Sequence, residues 1–380
     1  MVPFDFHART RVMCGRGAAS RLEALAGDLG FRRTLVVADP GMVTAGYVAA
    51  ATSQLETAGI FTATFTDFGE NPDNVMVESG RQFAAPLAID SIIGLGGGSS
   101  LDCAKGINFL LTNGGVMADY RGYGKAARPL LPMIAIPTTA GTGSEAQSYA
   151  VISDAATHMK MACGAPSAAP RIAILDPDLT VSAPRRVTAM AGYDAIAHAV
   201  ETWVTTKRNA VSLAFARAAW DLLGGAFERV LADGTDIDAR SDMLVGAHLA
   251  GMAIEQSMLG AAHACANPLT ARYNLAHGLA LSILLPHVVR WNAAHVGDRY
   301  AELLRTAGIE CHVESAGERL AQRLEALARE AGLATMLRNM VVARADLGAL
   351  AEDAAKQWTG TFNPRPFDAP AALELYGRAY

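Results

Sequence analysis

Two short stretches of this chain carry side chains able to hold a divalent cation. Met258 to His277 contains His263 and His277, fourteen residues apart, among small and apolar residues. Gly192 to His198 places Asp194 and His198 four residues apart. On a helix, residues at i and i+4 lie on one face about one turn apart. One carboxylate and three imidazoles could then converge on one ion. With no thiolate in the set, Fe(II), Zn(II), Mn(II), Co(II) and Ni(II) suit it about equally. Either half alone has a plainer reading, a hydrogen-bonded core histidine or an incidental helical pair.

A second kind of chemistry is written in glycines and hydroxyls. Gly96, Gly97, Gly98, Ser99 and Ser100 follow a short apolar run and precede a helical one. Glycines let backbone N–H groups approach a ligand closely, and a helix N-terminus adds unpaired donors and a positive dipole end. Such a loop suits a diphosphate, with Ser99 and Ser100 capping the helix or donating to phosphate. Thr138, Thr139 and Thr142 lie in another Gly/Thr-rich loop after a strand-like run, suited to the same crevice. Asp39 follows the run Thr34–Ala38, where a carboxylate accepts hydrogen bonds from a ribose and repels a 2′-phosphate. NAD is therefore expected over NADP. The G-x-G-x-x-G pattern is absent from the loop.

These groups must be positioned by regular elements, and the chain has the length for two domains. In the first half, short strand-like runs alternate with helical ones: Thr34–Ala38, Met42–Ala58, Ile60–Thr66, Asn74–Ala85, Ser91–Leu95, Leu101–Leu111, Met133–Ile136 and Ile172–Leu175. That alternation predicts a mostly parallel sheet covered on both faces. After Asp176-Pro177 the texture becomes Ala- and Leu-rich, with helical stretches at Ala210–Ala232, Asp238–Gln256, His277–Asn292, Val313–Ala331 and Leu347–Trp358. The expected division is 1–180, an α/β dinucleotide-binding domain, and 181–380, an all-helical metal and substrate domain.

Composition narrows the function classes. Hydrophobic residues make up 51% and charged ones 18%, which fits packed cores and not a disordered chain. A net charge of −5 without any basic block argues against nucleic acid and anionic membranes as partners. No apolar run is long enough to span a bilayer. The stretch Met1–Met13 carries Asp5, His7, Arg9 and Arg11 and does not read as a signal peptide. Five cysteines, Cys14, Cys103, Cys163, Cys265 and Cys311, are scattered without Cys-x-x-Cys spacing, as expected of reduced thiols in a cytoplasmic protein.

Taken together and in this order, the motifs resemble the iron-containing (group III) alcohol dehydrogenases of the dehydroquinate synthase-like superfamily. The resemblance runs through Asp39-Pro-Gly, Gly96 to Lys105, Pro137 to Glu145, Gly192 to His198, Met258 to His277, Leu285 to Asn292 and Asn363-Pro-Arg-Pro366. It implies an N-terminal nucleotide-binding domain, a C-terminal helical domain and an active site in the cleft between them. Its metal ligands would be Asp194, His198, His263 and His277, with Fe(II) favoured over Zn(II) or another divalent ion. The glycine loop would hold the cofactor diphosphate, with Thr138, Thr139, Thr142 and Lys160 alongside. Asp39 would sit at the adenosine ribose and Asn71 near the cofactor. The function so implied is hydride transfer between a nicotinamide cofactor and a small alcohol or aldehyde, by a homo-oligomer, a dimer.

One position departs from the pattern. Members acting on simple alcohols often read His-x-x-x-His where this chain reads His263 to Asn267. The second histidine there lies near the nicotinamide and serves proton relay, whereas an amide does not titrate. Asn267 is expected to position substrate or nicotinamide, and the proton to leave through water or ribose hydroxyls. His287 is expected to orient a ligand from behind. Three other functions stay open. Relatives that reduce maleylacetate commonly lack the aspartate ligand, which Asp194 here supplies. A dehydroquinate synthase-type lyase uses NAD without net redox but needs a cluster of basic residues, and lysines are scarce. A non-catalytic relative would not need four intact ligands.

Overall fold

The computed structural model describes residues 3–380; the first two positions of the N-terminal stretch lie outside the described residues. The chain divides into two units, His7–Ala183 and a second made of Pro184–Tyr380 together with the N-terminal segment up to Phe6.

The α/β unit holds nine strands: β1 Arg11–Cys14, β2 Arg33–Ala38, β3 Phe61–Phe65, β4 Ser91–Gly96, β5 Gly122–Tyr123, β6 Met133–Pro137, β7 Tyr149–Ser153, β8 Lys160–Gly164 and β9 Ile172–Leu175. Its helices are α1 Leu22–Asp28, α2 Pro40–Thr44, α3 Tyr47–Thr57, α4 Asn74–Ala84 and α5 Gly98–Asn113. Six strands form one parallel sheet in the order β1-β9-β6-β4-β2-β3. The side-chain period of two gives each face its own core. Leu35, Val37, Ile92 and Met133 pack with Val77, Leu101 and Ile107 from α4 and α5. Val36, Ile93, Leu95, Ile134 and Ile174 pack with Leu22, Leu25, Val48 and Leu55 from α1 and α3. From β2 the chain steps outward to β3, then returns so that β4 lies on the other side of β2. The carboxyl ends of β2 and β4 therefore flank a topological switch point, where open parallel sheets bind ligands.

The helical unit contains α6 Arg185–Val204, α7 Ala210–Ala232, α8 Ile237–Gln256, α9 Ala261–Tyr273, α10 His277–Thr306, α11 Val313–Glu330, α12 Leu347–Ala355 and α13 Ala369–Ala379. Its core includes the buried Tyr193, Trp220 and Phe227, with the Tyr193 and Phe227 rings edge to face at 6.5 Å. Among the described residues no helix is long and apolar enough to cross a membrane.

Several sequence expectations are corrected in detail. The single helix expected over Met42–Ala58 is two, because Gly46 takes a left-handed φ of 80° and breaks it. The helix after the glycine loop begins at Gly98, so part of the loop is its first turn. The helix expected over His277–Asn292 continues to Thr306, with a break at Val296. A small sheet of β5, β8 and β7 goes unread in the sequence, as does the edge strand β1, a run of only four residues.

Candidate functional site

Helix α6 supplies the first part of the site. Asp194 and His198 sit one turn apart and both are buried, at 5% exposure each. His198 Nε2 lies 3.2 Å from Asp194 Oδ1. His263, in the first turn of α9, brings its Nε2 to 3.5 Å from the same oxygen. His277 opens α10 and brings its Nε2 to 3.9 Å. That approach depends on Gly278, where a Cβ would lie 2.1 Å from the carbonyl oxygen of Met190 on α6. Only a residue without a side chain lets α10 start so close to α6.

The donor atoms of Asp194, His263 and His277 all fall within 4.8 Å of one another. His198 approaches the same carboxylate oxygen, and its ring stacks on that of His263 with centroids 4.8 Å apart. Asp194 Oδ1 and His263 Nε2 are buried without hydrogen-bond partners. Leaving such atoms unsatisfied is costly, and a cation removes the cost for both. Four ligands bonded at 2.0–2.2 Å stand about 3.4 Å apart in a tetrahedron, close to the separations around Asp194 Oδ1. Asp194, His263 and His277 therefore fit a divalent metal in donor type and in spacing, and His198 reaches the same carboxylate oxygen from α6.

The charges in this corner reinforce one another. Burial alone would raise the Asp194 carboxyl, but the imidazoles of His198, His263 and His277 outweigh it and hold it below the usual range. Burial alone would lower His263, but Glu201 and Asp194 outweigh it and lift it to about 9. Glu201 is the residue that sequence reasoning missed. It follows His198 by three positions on α6, so Asp194, His198 and Glu201 share a face at i, i+4 and i+7. That spacing was the signal available. Its carboxylate bonds Nδ1 of His263. His287, the residue expected to stand behind a ligand, instead feels Arg290, Glu325 and Arg378, and burial lowers its pKa.

Asn267 stands one turn after His263 on α9, half-buried, and its Nδ2 donates to Oε1 of Gln357 at 3.1 Å. The chain thus has an amide pair where an imidazole would titrate.

The α/β unit brings the glycine and threonine loops together at the switch point. Asp39 caps α2, with Oδ1 accepting from the Gly41 N–H at 2.9 Å and Oδ2 accepting from the Ser100 hydroxyl at 3.0 Å. A Cβ on Gly96, whose φ is 141°, would meet that hydroxyl at 2.3 Å. A Cβ on Gly97 would lie 3.2 Å from Thr139 Oγ1, and one on Gly98 would lie 2.5 Å from Thr142 Cγ2. Thr138 is tied in through its N–H, which donates to the Gly96 carbonyl at 3.0 Å. Asn71, left-handed at φ 51°, donates its N–H to Ser99 Oγ at 3.2 Å. The cap of α5 is Gly97, with no side-chain bond, so neither serine caps the helix as expected. Ser100 donates its hydroxyl to Asp39, whereas Ser99 Oγ accepts from the Asn71 N–H. The backbone N–H groups at the start of α5 have no earlier turn to supply acceptors, and such a helix end can take an anion.

Lys160 begins β8, opposite Ser153, and its charge acts on Asp102 of α5, the helix that the glycine loop opens. Burial raises the Asp102 carboxyl, while Lys105, Ser144 and Lys160 oppose that rise. Lys105 is fully buried and donates to Ser144 O and Oγ, Gln147 O and Tyr149 O at 2.6–3.0 Å. It fixes the path of the chain that leaves the threonine loop.

Comparison with known proteins covers both units. Residues 9–177 match the family model described as iron-containing alcohol dehydrogenase, and residues 188–380 match that of the Fe-containing alcohol dehydrogenase family, C-terminal. Lactaldehyde reductase of Escherichia coli (strain K12) is 34% identical over 372 residues, which is 96% of this chain and 97% of the relative. The 1,3-propanediol dehydrogenase of Citrobacter freundii is 32% identical over 357 residues, covering 93% and 92% of the two chains. Among solved structures, a 1,3-propanediol oxidoreductase superposes with a TM-score of 0.96 at 31% identity, with both chains covered completely. An alcohol dehydrogenase from Oenococcus oeni gives a TM-score of 0.96 at 29% identity, again over both whole chains.

Proposed function

Because the chain belongs to the iron-containing alcohol dehydrogenase family, we propose that it interconverts a small alcohol and its aldehyde with NAD(H), using a divalent metal held by Asp194, His198, His263 and His277. The observation that carries this reading is the approach of three imidazole nitrogens to Asp194 Oδ1, at 3.2, 3.5 and 3.9 Å. Iron(II) is the first expectation and zinc(II) the alternative. When bound, the cation polarises the substrate oxygen and the nicotinamide exchanges hydride with the substrate carbon.

The chain's own residues do the rest. The backbone at Gly98 to Ser100 binds the diphosphate, and Thr142 and Thr139 wall its cradle. Asp39 takes the adenosine ribose and disfavours a 2′-phosphate by its charge. Asn267, held by Gln357, orients substrate or nicotinamide without carrying a proton. The proton therefore leaves through water or a ribose hydroxyl. Lactaldehyde, 1,3-propanediol and methanol, named in the relatives, define the first substrates to try. A homodimer and a cytoplasmic location complete the reading; all five cysteines being free suits a reducing compartment.

The test is metal analysis of anaerobically purified protein, followed by a screen of alcohols and aldehydes with both cofactors. Stoichiometric iron or zinc with NAD-linked turnover is expected. Protein that binds no divalent metal, or turns over only with NADP(H), overturns the corresponding part.

A further inference from the structure

We propose that Glu201 is the positioning residue of the metal centre: its carboxylate selects the tautomer of His263 and clamps the first turn of α9, so that His263 presents an unprotonated Nε2 to the cation. The inference rests on the metal reading above.

Glu201 is 4% exposed, and both its oxygens are engaged. Oε1 accepts from the Ala262 N–H at 2.7 Å, and Oε2 bonds Nδ1 of His263. The cap residue of α9, Gly260, has no side chain, so the first N–H groups of that helix must find acceptors elsewhere. Glu201 takes one of them, and its negative charge suits the positive end of the helix. Asn363 Oδ1 takes the next, from Ala261 at 3.3 Å. Asn363 is itself locked by reciprocal bonds with Asn292 at 3.1 and 2.9 Å and by donation to the Arg365 carbonyl at 2.8 Å. The backbone just before the ligand is therefore fixed along with its ring.

The tautomer follows from counting donors. A neutral imidazole has one N–H, and an ionised carboxylate only accepts. When a cation binds, the ring is neutral: its one hydrogen is on Nδ1, facing Glu201, and its lone pair is on Nε2. That nitrogen is buried without a hydrogen-bond partner, 3.5 Å from Asp194 Oδ1. A carboxylate answers two donors, Ala262 N–H and His263 Nδ1–H, with two acceptors. An amide in its place has one acceptor and one donor. In either orientation of a glutamine, one of the two donors loses its partner, or the ring moves its hydrogen to Nε2, where the metal must bind.

The experiment compares zinc dissociation constants, by chelator competition, for the full-length wild type and Glu201→Gln. Far-UV circular dichroism and NADH affinity of the metal-free proteins serve as controls of folding. Glu201→Gln is expected to bind zinc about 10–100-fold more weakly with both controls unchanged. A dissociation constant within about threefold of wild type overturns the inference, since partners that orient a metal-binding histidine are worth more than that. A second measurement needs no variant at position 201. In the long-range ¹⁵N–¹H spectrum of histidine-labelled, zinc-loaded wild type, the ring that disappears in His263→Ala must be protonated at Nδ1. Protonation at Nε2 overturns the inference even if Glu201→Gln does not fold. Wild type that takes up no zinc overturns the metal reading itself, which is a distinct result.

Discussion

In the helical unit the candidate ligands leave Asp194 Oδ1 and His263 Nε2 buried without hydrogen-bond partners. In the α/β unit the polar side chains around the glycine loop bond one another and the nearby backbone. Ser100 serves Asp39, Ser99 serves Asn71, and Ser144 donates to Asp102 at 2.7 Å. One region offers side-chain atoms to a ligand; the other uses its side chains to hold backbone in place and offers N–H groups. Mutations should therefore act differently in the two. Deleting a side chain empties the first, whereas adding a methyl group fills the second.

The largest expected effect is at the metal. His263→Ala should lower bound metal below stoichiometric levels and reduce turnover by at least about 100-fold, more than the loss of an orienting partner costs. Stoichiometric metal in that variant, measured by elemental analysis, would remove the assignment. In the wild type, metal at about 100 times its dissociation constant should add about 2.7 kcal/mol to stability. If the two regions are built as described, hydrogen exchange on chelation should rise at α6, α9 and the start of α10, with β4 and α5 unchanged.

Next comes the cradle. Gly98→Ala places a Cβ 2.5–2.7 Å from Thr142 Cγ2 and Oγ1. Thr142 must move, at a cost of about 1–3 kcal/mol. NADH affinity should fall by a comparable amount while metal content stays at the wild-type level. Loss of metal together with NADH affinity would show that the two regions are not independent.

A smaller effect is expected at Asp39. The wild type should prefer NAD(H), and Asp39→Gly should shift the ratio of kcat/KM values toward NADP(H) by about tenfold, the 1.4 kcal/mol of one ionic contact. Glycine is nearly as good a cap as aspartate, so α2 should lose only a few tenths of a kcal/mol. An unchanged cofactor ratio would assign Asp39 to capping α2 and to holding Ser100.

The smallest concerns Asn267. Asn267→Ala leaves Gln357 Oε1 without its donor and should cost about 1 kcal/mol in substrate or cofactor binding. Asn267→His should add a step near pH 6.5 to the profile of kcat/KM, or alter the substrate range, because an imidazole titrates there and an amide does not. Metal content should match wild type in both. Identical pH profiles and substrate preferences for all three proteins would place this residue outside the chemistry.

What the sequence determined by itself was residue type and local period. The apolar runs of β2, β4, β6 and β9 read as buried parallel strands because both faces of each are covered. Asp194, His198, His263 and His277 read as candidate ligands because few side chains bind cations and the helical spacing aligned two of them. Tertiary structure decided everything that depends on distant partners. Glu201 reads as an ordinary helical carboxylate until the fold sets His263 and the bare N-terminus of α9 against it. Ser99 and Ser100 read as candidate caps until Gly97 takes the cap position and Asn71 and Asp39, 28 and 61 residues away, bond their hydroxyls. Lys160 carries no strand signal of its own until pairing with β7 makes it the first residue of β8. Hydrogen bonds act over about 3 Å, and a carboxylate or hydroxyl accepts whichever donor the fold delivers.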